Sequence, residues 1–324
     1  SVGGGPKKRA CAQPTINNQY EVLLEGLEPA SRVVYRATTD DGRASPEMDF
    51  FTAPARSVPV RFVAIADGHK NTNMLRRISE QVLADGADFL VHVGDSVNQP
   101  EDWQFDAFFR GIQPVASRMS LWPVIGNHEQ RDWRYFDAYV VPGAGEAPVE
   151  EAYYSVRWGN VWFAVLELPD FYLQDLLQFE MPQTTWLKAQ LESPEAASAT
   201  WKLLFIHQPG WNLGWGGCTN KGEPAVAHVV MPLAAQYGVT AVFSGHMHGY
   251  EHGKVEGVDV FITGGAGGGL DDICRPTKDF PLPWLGRYIH HRLVVDAGCD
   301  SFVVEARDLD DVLIDRVEIP ASLP

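Results

Sequence analysis

From Val60 onward, short apolar runs of strand length alternate with longer amphipathic segments. The runs include "VRFVAIAD", "FLVHVGD", "WKLLFIHQ" and "TAVFSGHMH". In the segment after the first run, four apolar side chains share one helical face: Leu75, Ile78, Val82 and Leu83. Strands that alternate with helices predict βαβ units and a largely parallel or mixed sheet. Because the strands are apolar on both faces, we expect the sheet to be buried between layers. The predicted fold class is α/β.

Residues 18–53 follow a different pattern. Apolar and polar positions alternate in short runs around two turn segments, "GLEPAS" and "DDGRAS". This pattern predicts a small antiparallel β module, which resembles the last strands of a fibronectin type III domain. Pro54 and Pro59 bound a short linker after it. We therefore predict two domains, an N-terminal β module over residues 1–56 with a flexible start, and a second domain over residues 57–324.

The charge balance limits the classes of partner. The chain has 324 residues, of which 26 are basic and 42 are acidic, so its formal net charge is −16. This balance argues against a general affinity for nucleic acid or anionic lipid. No stretch approaches the roughly 20 consecutive apolar residues that a membrane helix needs. An anionic substrate would need local positive charge, and bound cations are the simplest source of it.

The four cysteines do not form a metal motif. Cys11, Cys218, Cys274 and Cys299 show no C-x-x-C spacing, so neither a zinc ribbon nor a thioredoxin-like site is indicated. Four paired cysteines allow three connectivities, and one bridge with two free thiols is equally allowed. We favour a bridge between Cys218 and Cys274, which lie in glycine- or proline-rich loops. Together with the β module, a bridge indicates an extracytoplasmic location, secreted or periplasmic.

Polar residues with ligand chemistry end five of the apolar runs. These residues are Asp67 and His69, Asp95, Asn127 and His128, His207, and His246 and His248. Ligands of open α/β sheets bind at the carboxyl ends of the strands, so we expect these side chains to converge. Apart from His128, they offer three oxygen ligands and four imidazoles without a thiolate, which suits zinc, iron or manganese. Seven ligands are too many for one ion with an open position, but fit two ions that share a carboxylate.

Five ordered motifs resemble those of the calcineurin-like metallophosphoesterase superfamily. They are Asp67-x-His69, Gly94-Asp95, Gly126-Asn127-His128-Glu129, His207 and Gly245-His246-x-His248. The resemblance implies a sandwich of mixed β-sheets flanked by helices, and it implies two metal sites. One ion would be held by Asp67, His69, Asp95 and His248. The other would be held by Asp95, Asn127, His207 and His246, so that Asp95 bridges the two ions.

The same resemblance implies metal-dependent hydrolysis of phosphate monoesters, diesters or both, with a metal-bound hydroxide as the nucleophile. Its cofactors would be two divalent or mixed-valence ions of iron, zinc or manganese, and its substrate a small phosphorylated molecule. Asp95 and His128 would be catalytic, with His128 acting on the phosphate or the leaving group. The alternative is a catalytically silent scaffold, although scaffolds of this type typically lose ligands and none is missing here. The acidic balance weighs against a third possibility, nucleic-acid processing.

Within the superfamily, the N-terminal β module, "TTWLKAQL" and "GHMHGYE" resemble purple acid phosphatases and their bacterial relatives. Those enzymes carry a tyrosine three residues after the bridging aspartate and usually lack the histidine of D-x-H. Here Asn98 replaces the tyrosine and His69 is present, so a colourless enzyme is expected. Asn98 is a candidate hydrogen-bond acceptor for His128. Trp211 and Trp215, in a glycine-rich loop, either wall the substrate pocket and stack on its leaving group or simply pack the loop.

The remaining histidines receive other interpretations. His92 lies inside an apolar run and is predicted to be a core residue. His228 falls in a helical pattern and is predicted to be structural. His252 lies just beyond the G-H-x-H motif, and we expect it near the ligands or at the surface rather than on a metal. His290 and His291 would face opposite sides of a strand, so at most one could reach the site.

Overall fold

The computed structural model describes most of the chain: residues 13–14, 20–54, 58–143, 150–214, 218, 222–272, 274–278 and 280–321. Over these residues it confirms the predicted α/β class, with two large mixed sheets flanked by helices. The predicted flexible start and Trp215 lie outside the described residues.

The strands of the described residues, in chain order, are β1 Gln13–Pro14, β2 Tyr20–Glu21, β3 Arg32–Tyr35, β4 Met48–Phe51, β5 Val60–Ile65, β6 Phe89–Val93, β7 Ser120–Val124, β8 Tyr154–Trp158, β9 Val161–Leu166, β10 Trp201–Ile206, β11 Ala241–Ser244, β12 Tyr250–Val255, β13 Val258–Thr263, β14 Trp284–Arg287, β15 His291–Ala297, β16 Ser301–Asp308 and β17 Leu313–Pro320. The helices are α1 Thr72–Ala84, α2 Asp102–Ala116, α3 Trp133–Ala138, α4 Leu168–Leu177, α5 Pro182–Leu191, α6 Pro194–Ala197 and α7 Met231–Gln236, with a 3₁₀ turn at Glu150–Ala152 and a π turn at Val226–Val230.

Two sheets form the centre of the molecule. The six-stranded sheet has the order β17-β16-β15-β5-β6-β7, and the seven-stranded sheet has the order β14-β12-β13-β11-β10-β9-β8. Strands β5, β6 and β7 are parallel in the first sheet, as are β9, β10, β11 and β13 in the second. The carboxyl ends of the parallel strands therefore meet at one edge of each sheet.

Alternate residues of each central strand face different layers. In β10, Leu203 and Phe205 pack between the two sheets, whereas Leu204 and Ile206 pack beneath helices of the outer layer. Phe62 of β5 contributes to the inner layer from the opposite sheet, with its ring centroid 6.3 Å from that of Phe205. A third cluster packs α1 and α2 against the six-stranded sheet. This arrangement explains why the strands are apolar on both faces.

The segment "AVAHVVMPLAAQY" is helical but not uniform. It begins with the π turn Val226–Val230 and continues as α7. Pro232 lies in the first turn of α7, where it has no N–H to donate back to residue 228. A proline at that point favours a break in the regular hydrogen-bond pattern of the α-helix, and here the break takes the form of the π turn.

Residues 20–54 contain small β structure, as predicted. Strands β3 and β4 pair antiparallel and dock on the end of α2. Tyr35 Oη donates a hydrogen bond to Ser117 O at 2.9 Å, and Arg118 Nη1 lies 2.9 Å from Asp49 Oδ1. The division into domains at residues 56 and 57 stays a prediction.

The preferred disulfide is present. Cys218 and Cys274 are bonded, with their Cα atoms 5.5 Å apart, and the bond ties the loop after β10 to the loop after β13. Cys299 is an exposed free thiol. Among the residues that the structure describes, no helix has the length and apolar character needed to cross a membrane.

Candidate metal centre

Three of the predicted ligands lie two residues beyond the end of a strand, where the backbone turns into the left-handed region. Asp67 follows β5, Asp95 follows β6 and His246 follows β11, with φ angles of 59°, 56° and 69°. Non-glycine residues rarely adopt this region, and such strain clusters at functional sites. The backbone also approaches the carboxylates closely. A Cβ on Gly126 would lie 2.2 Å from Asp95 Oδ1, and one on Gly245 would lie 2.7 Å from Asp67 Oδ2.

Six of the seven predicted ligands form two groups, each with one carboxylate and two imidazoles. The ligand atoms of each group lie within 4.8 Å of one another, and the groups are Asp67 with His69 and His248, and Asp95 with His207 and His246. His248 Nε2 lies 3.4 Å from Asp67 Oδ1, and His207 Nε2 lies 3.1 Å from Asp95 Oδ2. His246 N donates to Asp67 Oδ2 at 2.9 Å, so the backbone of one group contacts the carboxylate of the other.

Backbone carbonyls orient two of the imidazoles. Because a carbonyl can only accept, His207 Nδ1 donates to Val93 O at 2.8 Å, and His248 Nδ1 donates to Gly269 O at 2.6 Å. In each ring Nε2 then faces the carboxylate of its own group. A second hydrogen bond of this kind fixes the tautomer and the ring orientation of metal-binding histidines.

Burial and charge compete within the two groups. Burial opposes protonation of His207 and His248, but the neighbouring carboxylates outweigh it and raise the pKa of His207 to about 10 and that of His248 to about 9. Burial lowers the pKa of His69 to about 4 and that of His246 to about 3. Burial alone would raise the pKa of Asp67, yet the imidazoles, led by His248, hold it below its usual range. The buried carboxylates thus favour positive charge beside them.

The two groups fit divalent metal ions. Asp67 Oδ1 and His207 Nε2 are buried and have no hydrogen-bond partner among the described residues, and each lies at ion-pair distance from an atom of its own group. Leaving such atoms unpaired in the interior is unfavourable unless a charged partner compensates. Nitrogen and oxygen ligands without thiolate match zinc, iron or manganese. Each group offers one position for an ion.

His128 lies at the edge of the second group. Its backbone N donates to Asp95 Oδ1 at 2.9 Å, and its Nδ1 donates to the main-chain carbonyl of Asn98 at 2.8 Å. Nε2 lies 3.8 Å from Asp95 Oδ2, and the side chain is 30% exposed. The remaining predicted ligand, Asn127, is exposed in the turn just before His128. The predicted hydrogen bond between Asn98 and His128 is present, but its acceptor is the main-chain carbonyl of Asn98 and not the side chain.

Glu129 organises this corner, and sequence reasoning assigned it no role beyond its place in the motif. Its carboxylate is fully buried and accepts hydrogen bonds from the backbone N–H groups of Gly126, Asp95 and Ser96, at 2.7, 3.1 and 2.6 Å. Burial and the charge of Asp95 raise the pKa of Glu129 to about 7. One side chain thus ties the loop after β7 to the loop after β6. The only signal for it in the sequence is its position directly after His128.

Trp211 and two of the histidines that were not predicted as ligands lie in different parts of the fold. Trp211 is half-buried and packs against the core beneath the helices of the seven-stranded sheet. His92 is fully buried in β6, where its ring stacks edge-on against Phe108. His252 lies in β12 and contacts Asp259 at 3.0 Å, away from both ligand groups.

The other three histidines are also outside the two groups. His228 is 63% exposed and lies 3.1 Å from Asp175. His290 precedes β15 and donates from Nδ1 to Gly265 O, whereas His291 begins the strand and is fully buried.

Comparisons with known proteins identify the family of this chain. The profile of the calcineurin-like phosphoesterase family matches residues 60–250, which is more than half of the chain. Purple acid phosphatase 23 of Arabidopsis thaliana is 25% identical over 305 residues, covering 81% of this chain and 65% of that protein. Tartrate-resistant acid phosphatase type 5 of Rattus norvegicus is 28% identical over 272 residues, covering 72% of this chain and 80% of that protein.

A solved structure shows the same fold. The purple acid phosphatase from seeds of yellow lupin (Lupinus luteus) superposes with a TM-score of 0.78 at 18% identity, covering 98% of this chain and 68% of that one. The chain spans 56–65% of the length of four of the plant purple acid phosphatases that it matches. On the strength of the family match and the shared fold, this chain belongs to the calcineurin-like phosphoesterase family and is similar to its purple acid phosphatase members.

Proposed function

We propose that the chain is a metal-dependent phosphoesterase that hydrolyses phosphate monoesters, diesters or both at a two-ion centre. The observation that carries this proposal is the meeting of two donor groups, each with one buried carboxylate and two imidazoles. The similarity to acid phosphatases supports the same reaction class.

In this proposal Asp67, His69 and His248 hold one ion, and Asn127, His207 and His246 hold the other. Asp95 is shared. Its Oδ2 faces His207 and its Oδ1 accepts from the backbone of His128, so both oxygens are fixed. Two ions held there would supply Lewis acidity to a phosphoryl group and would activate a water molecule as the nucleophile.

The chain's own residues handle the leaving group. The Asn98 carbonyl keeps the proton of His128 on Nδ1, which leaves Nε2 to face the site. A protonated imidazole there can donate from Nε2 to a departing ester oxygen. Glu129 holds the backbone of Asp95 and Gly126, and so maintains the separation between the acid and the ligands.

The substrate proposed is a small phosphorylated molecule, and the proposed location is extracytoplasmic. A disulfide between two loops persists in oxidising compartments, which supports this location.

The test uses the purified full chain after loading with Mn²⁺, Zn²⁺ or iron. Wild-type protein is expected to bind two ions per chain and to hydrolyse p-nitrophenyl phosphate or its bis ester. The variant His128→Asn should keep its metal and lose turnover by about 100-fold, the typical scale of general acid catalysis. His228→Asn is the matched control, because this exposed histidine lies outside both groups. Protein that binds fewer than two ions, or turns over neither ester, would contradict the proposal and favour the silent scaffold.

A further inference from the structure

The turn that follows the motif Gly126-Asn127-His128-Glu129 is strained. Gln130 and Arg131 are consecutive non-glycine residues with φ angles of 53° and 52°. Two contacts hold the turn in place: Asp132 N donates to Glu129 O at 2.9 Å, and Gln130 Nε2 donates to Gln99 Oε1 at 3.0 Å. Strain of this kind persists only where the surroundings enforce it, and it clusters at functional sites. The turn therefore presents its side chains in a defined direction.

The Arg131 side chain reaches across to the second sheet. Arg131 Nη2 lies 3.2 Å from Glu167 Oε1, and the Glu167 side chain is 3% exposed. Glu167 directly follows β9, in which Leu166 pairs with Ile206 of β10. The next residues along these two strands are Glu167 and the proposed ligand His207. They are therefore neighbours across a strand spacing of about 4.8 Å. The guanidinium lies at the same rim as the ligands.

Glu167 is a rigid support for this guanidinium. Its backbone N–H donates to Gln183 Oε1 at 3.0 Å, and its carbonyl accepts from Gln183 Nε2 at 3.1 Å. Glu167 Oε2 is buried without a hydrogen-bond partner among the described residues. The carboxyl group therefore has acceptor capacity to spare beside Arg131.

Arg131 keeps most of its donors available. Its side chain is 40% exposed, and within the described part of the chain its one ion pair is the contact from Nη2 to Glu167. Arg134, three residues later, is different. Its guanidinium is engaged by Asp102 at 2.5 Å and by both oxygens of Asp132 at 3.0 and 3.1 Å. A guanidinium offers five donors in a planar fork that matches phosphate oxygens.

We propose that Arg131, positioned by Glu167, is a specificity residue that binds an anionic oxygen of the substrate phosphate and makes the site favour monoesters over diesters. The inference rests on the proposed function. A monoester dianion has one more anionic oxygen than a diester, and in a chain with a net charge of −16 a second anionic charge needs a local cation. A fixed guanidinium at the rim supplies that cation, and esterification of the same oxygen removes its partner.

The experiment compares the two esters in metal-loaded protein. For Arg131→Gln, kcat/KM for p-nitrophenyl phosphate is expected to fall about 10- to 100-fold, the worth of a charged hydrogen bond. The value for bis(p-nitrophenyl) phosphate should change little, and the bound metal should stay at the wild-type level. Arg131→Lys should be intermediate because it keeps the charge and loses the fork. Glu167→Gln should raise KM for the monoester more than it lowers kcat, since it loosens the guanidinium without removing it.

Arg134→Gln is the matched control and should leave the ratio of monoester to diester activity unchanged. Calorimetric titration with inorganic phosphate gives a readout that does not depend on turnover, and Arg131→Gln should weaken this binding to a similar extent. Equal losses on both esters, or unchanged phosphate affinity, would overturn the inference. If wild-type protein hydrolyses neither ester, the proposed function fails. The phosphate titration then still decides whether Arg131 binds the anion.

Discussion

The candidate metal centre and the surroundings of Arg292 both contain buried charged groups, yet they differ in how their charges are satisfied. Arg292, 3% exposed, donates to both oxygens of Asp85 at 2.6 and 2.9 Å, to Asp311 at 2.7 Å and to the carbonyl of Asp308 at 3.2 Å. In the metal centre, Asp67 Oδ1 has no hydrogen-bond partner among the described residues. A buried network that satisfies its own members stabilises the fold, whereas one with unpaired ligand atoms is suited to binding an ion.

Removing the shared carboxylate should have the largest effect. We expect Asp95→Asn to lower turnover of p-nitrophenyl phosphate by at least about 10,000-fold, the scale seen when one member of a catalytic unit is lost. The bound metal, measured by elemental analysis, should also fall. Asp296→Asn serves as the control, since Asp296 is a half-exposed partner of Arg61. An Asp95→Asn protein with full metal content and full turnover would show that the two groups do not share this residue.

Breaking the Arg292 cluster should lower stability and leave the catalytic turnover unchanged. Arg292→Met is expected to lower the free energy of unfolding by about 3 kcal/mol, the lower end for a broken buried pair, because Asp85 is 13% exposed and can be partly rehydrated. Urea denaturation measures this loss, and turnover per folded molecule should stay at the wild-type value. Arg316→Met, at an exposed ion pair with Glu318, should cost less than about 1 kcal/mol. A small loss for Arg292→Met would mean that the satisfied network contributes little.

Removal of metal should lower stability through the ligand groups and not through the Arg292 cluster. With free metal at 100 times its dissociation constant, chelation should lower the free energy of unfolding by about 2.7 kcal/mol in wild type and in Arg292→Met, and by less in Asp95→Asn. If the free metal concentration is instead held constant, the effect should grow as the pH rises, because the dissociation constant falls. His207 and His248, with pKa values of about 10 and about 9, hold protons that the metal must displace, and fewer remain at higher pH. Thermal melts with and without chelator test this, and a pH-independent shift would contradict it.

The smallest expected effect concerns Glu251, a buried carboxyl that accepts from Leu213 N at 2.9 Å and from Trp284 Nε1 at 2.6 Å. Burial raises its pKa from 4.5 to about 7. Between these values the folded chain holds a proton that the unfolded chain has released, so this group's contribution to stability falls as the pH rises from 4.5 to 7.

The side chain at position 251 cannot ionise in the variant Glu251→Gln. Relative to wild type, it should therefore gain about 2 kcal/mol in the free energy of unfolding between pH 5 and pH 8, measured by urea denaturation. Glu256→Gln, on the exposed turn between β12 and β13, is the control and should show no such gain. A constant difference between Glu251→Gln and wild type across this range would show that Glu251 ionises normally in the fold.

Sequence reasoning was effective where chemistry is tied to the end of a strand. Asp67, Asp95 and His246 could be grouped because a polar residue closing an apolar run has to lie at the rim of the sheet. The helix around Leu75 was predictable from its apolar periodicity, and both it and the predicted helix at "TTWLKAQL" are present. The bridge between Cys218 and Cys274 is also confirmed.

Contacts that depend on sheet order were out of reach. Arg131 and Glu167 come from different sheets, and nothing in the spacing between them indicates that they meet. The role of Glu129 depends on backbone N–H groups of two loops, which carry no sequence signal. Trp211 could be interpreted either as a pocket wall or as loop packing, because an aromatic residue in a glycine-rich loop serves both purposes and only the fold shows its half-buried position.

The left-handed backbone at Asp67, Asp95 and His246 affects how mutagenesis of the centre should be read. Alanine at these positions removes a metal-ligand atom. It also tolerates the left-handed conformation poorly, so the activity loss of an alanine variant would combine the loss of the ligand with the strain at the bend. Asparagine tolerates the bend and nearly matches aspartate in shape. At Asp67 and Asp95, isosteric replacement therefore isolates the ligand chemistry, and the gap between the alanine and asparagine variants measures the cost of the bend.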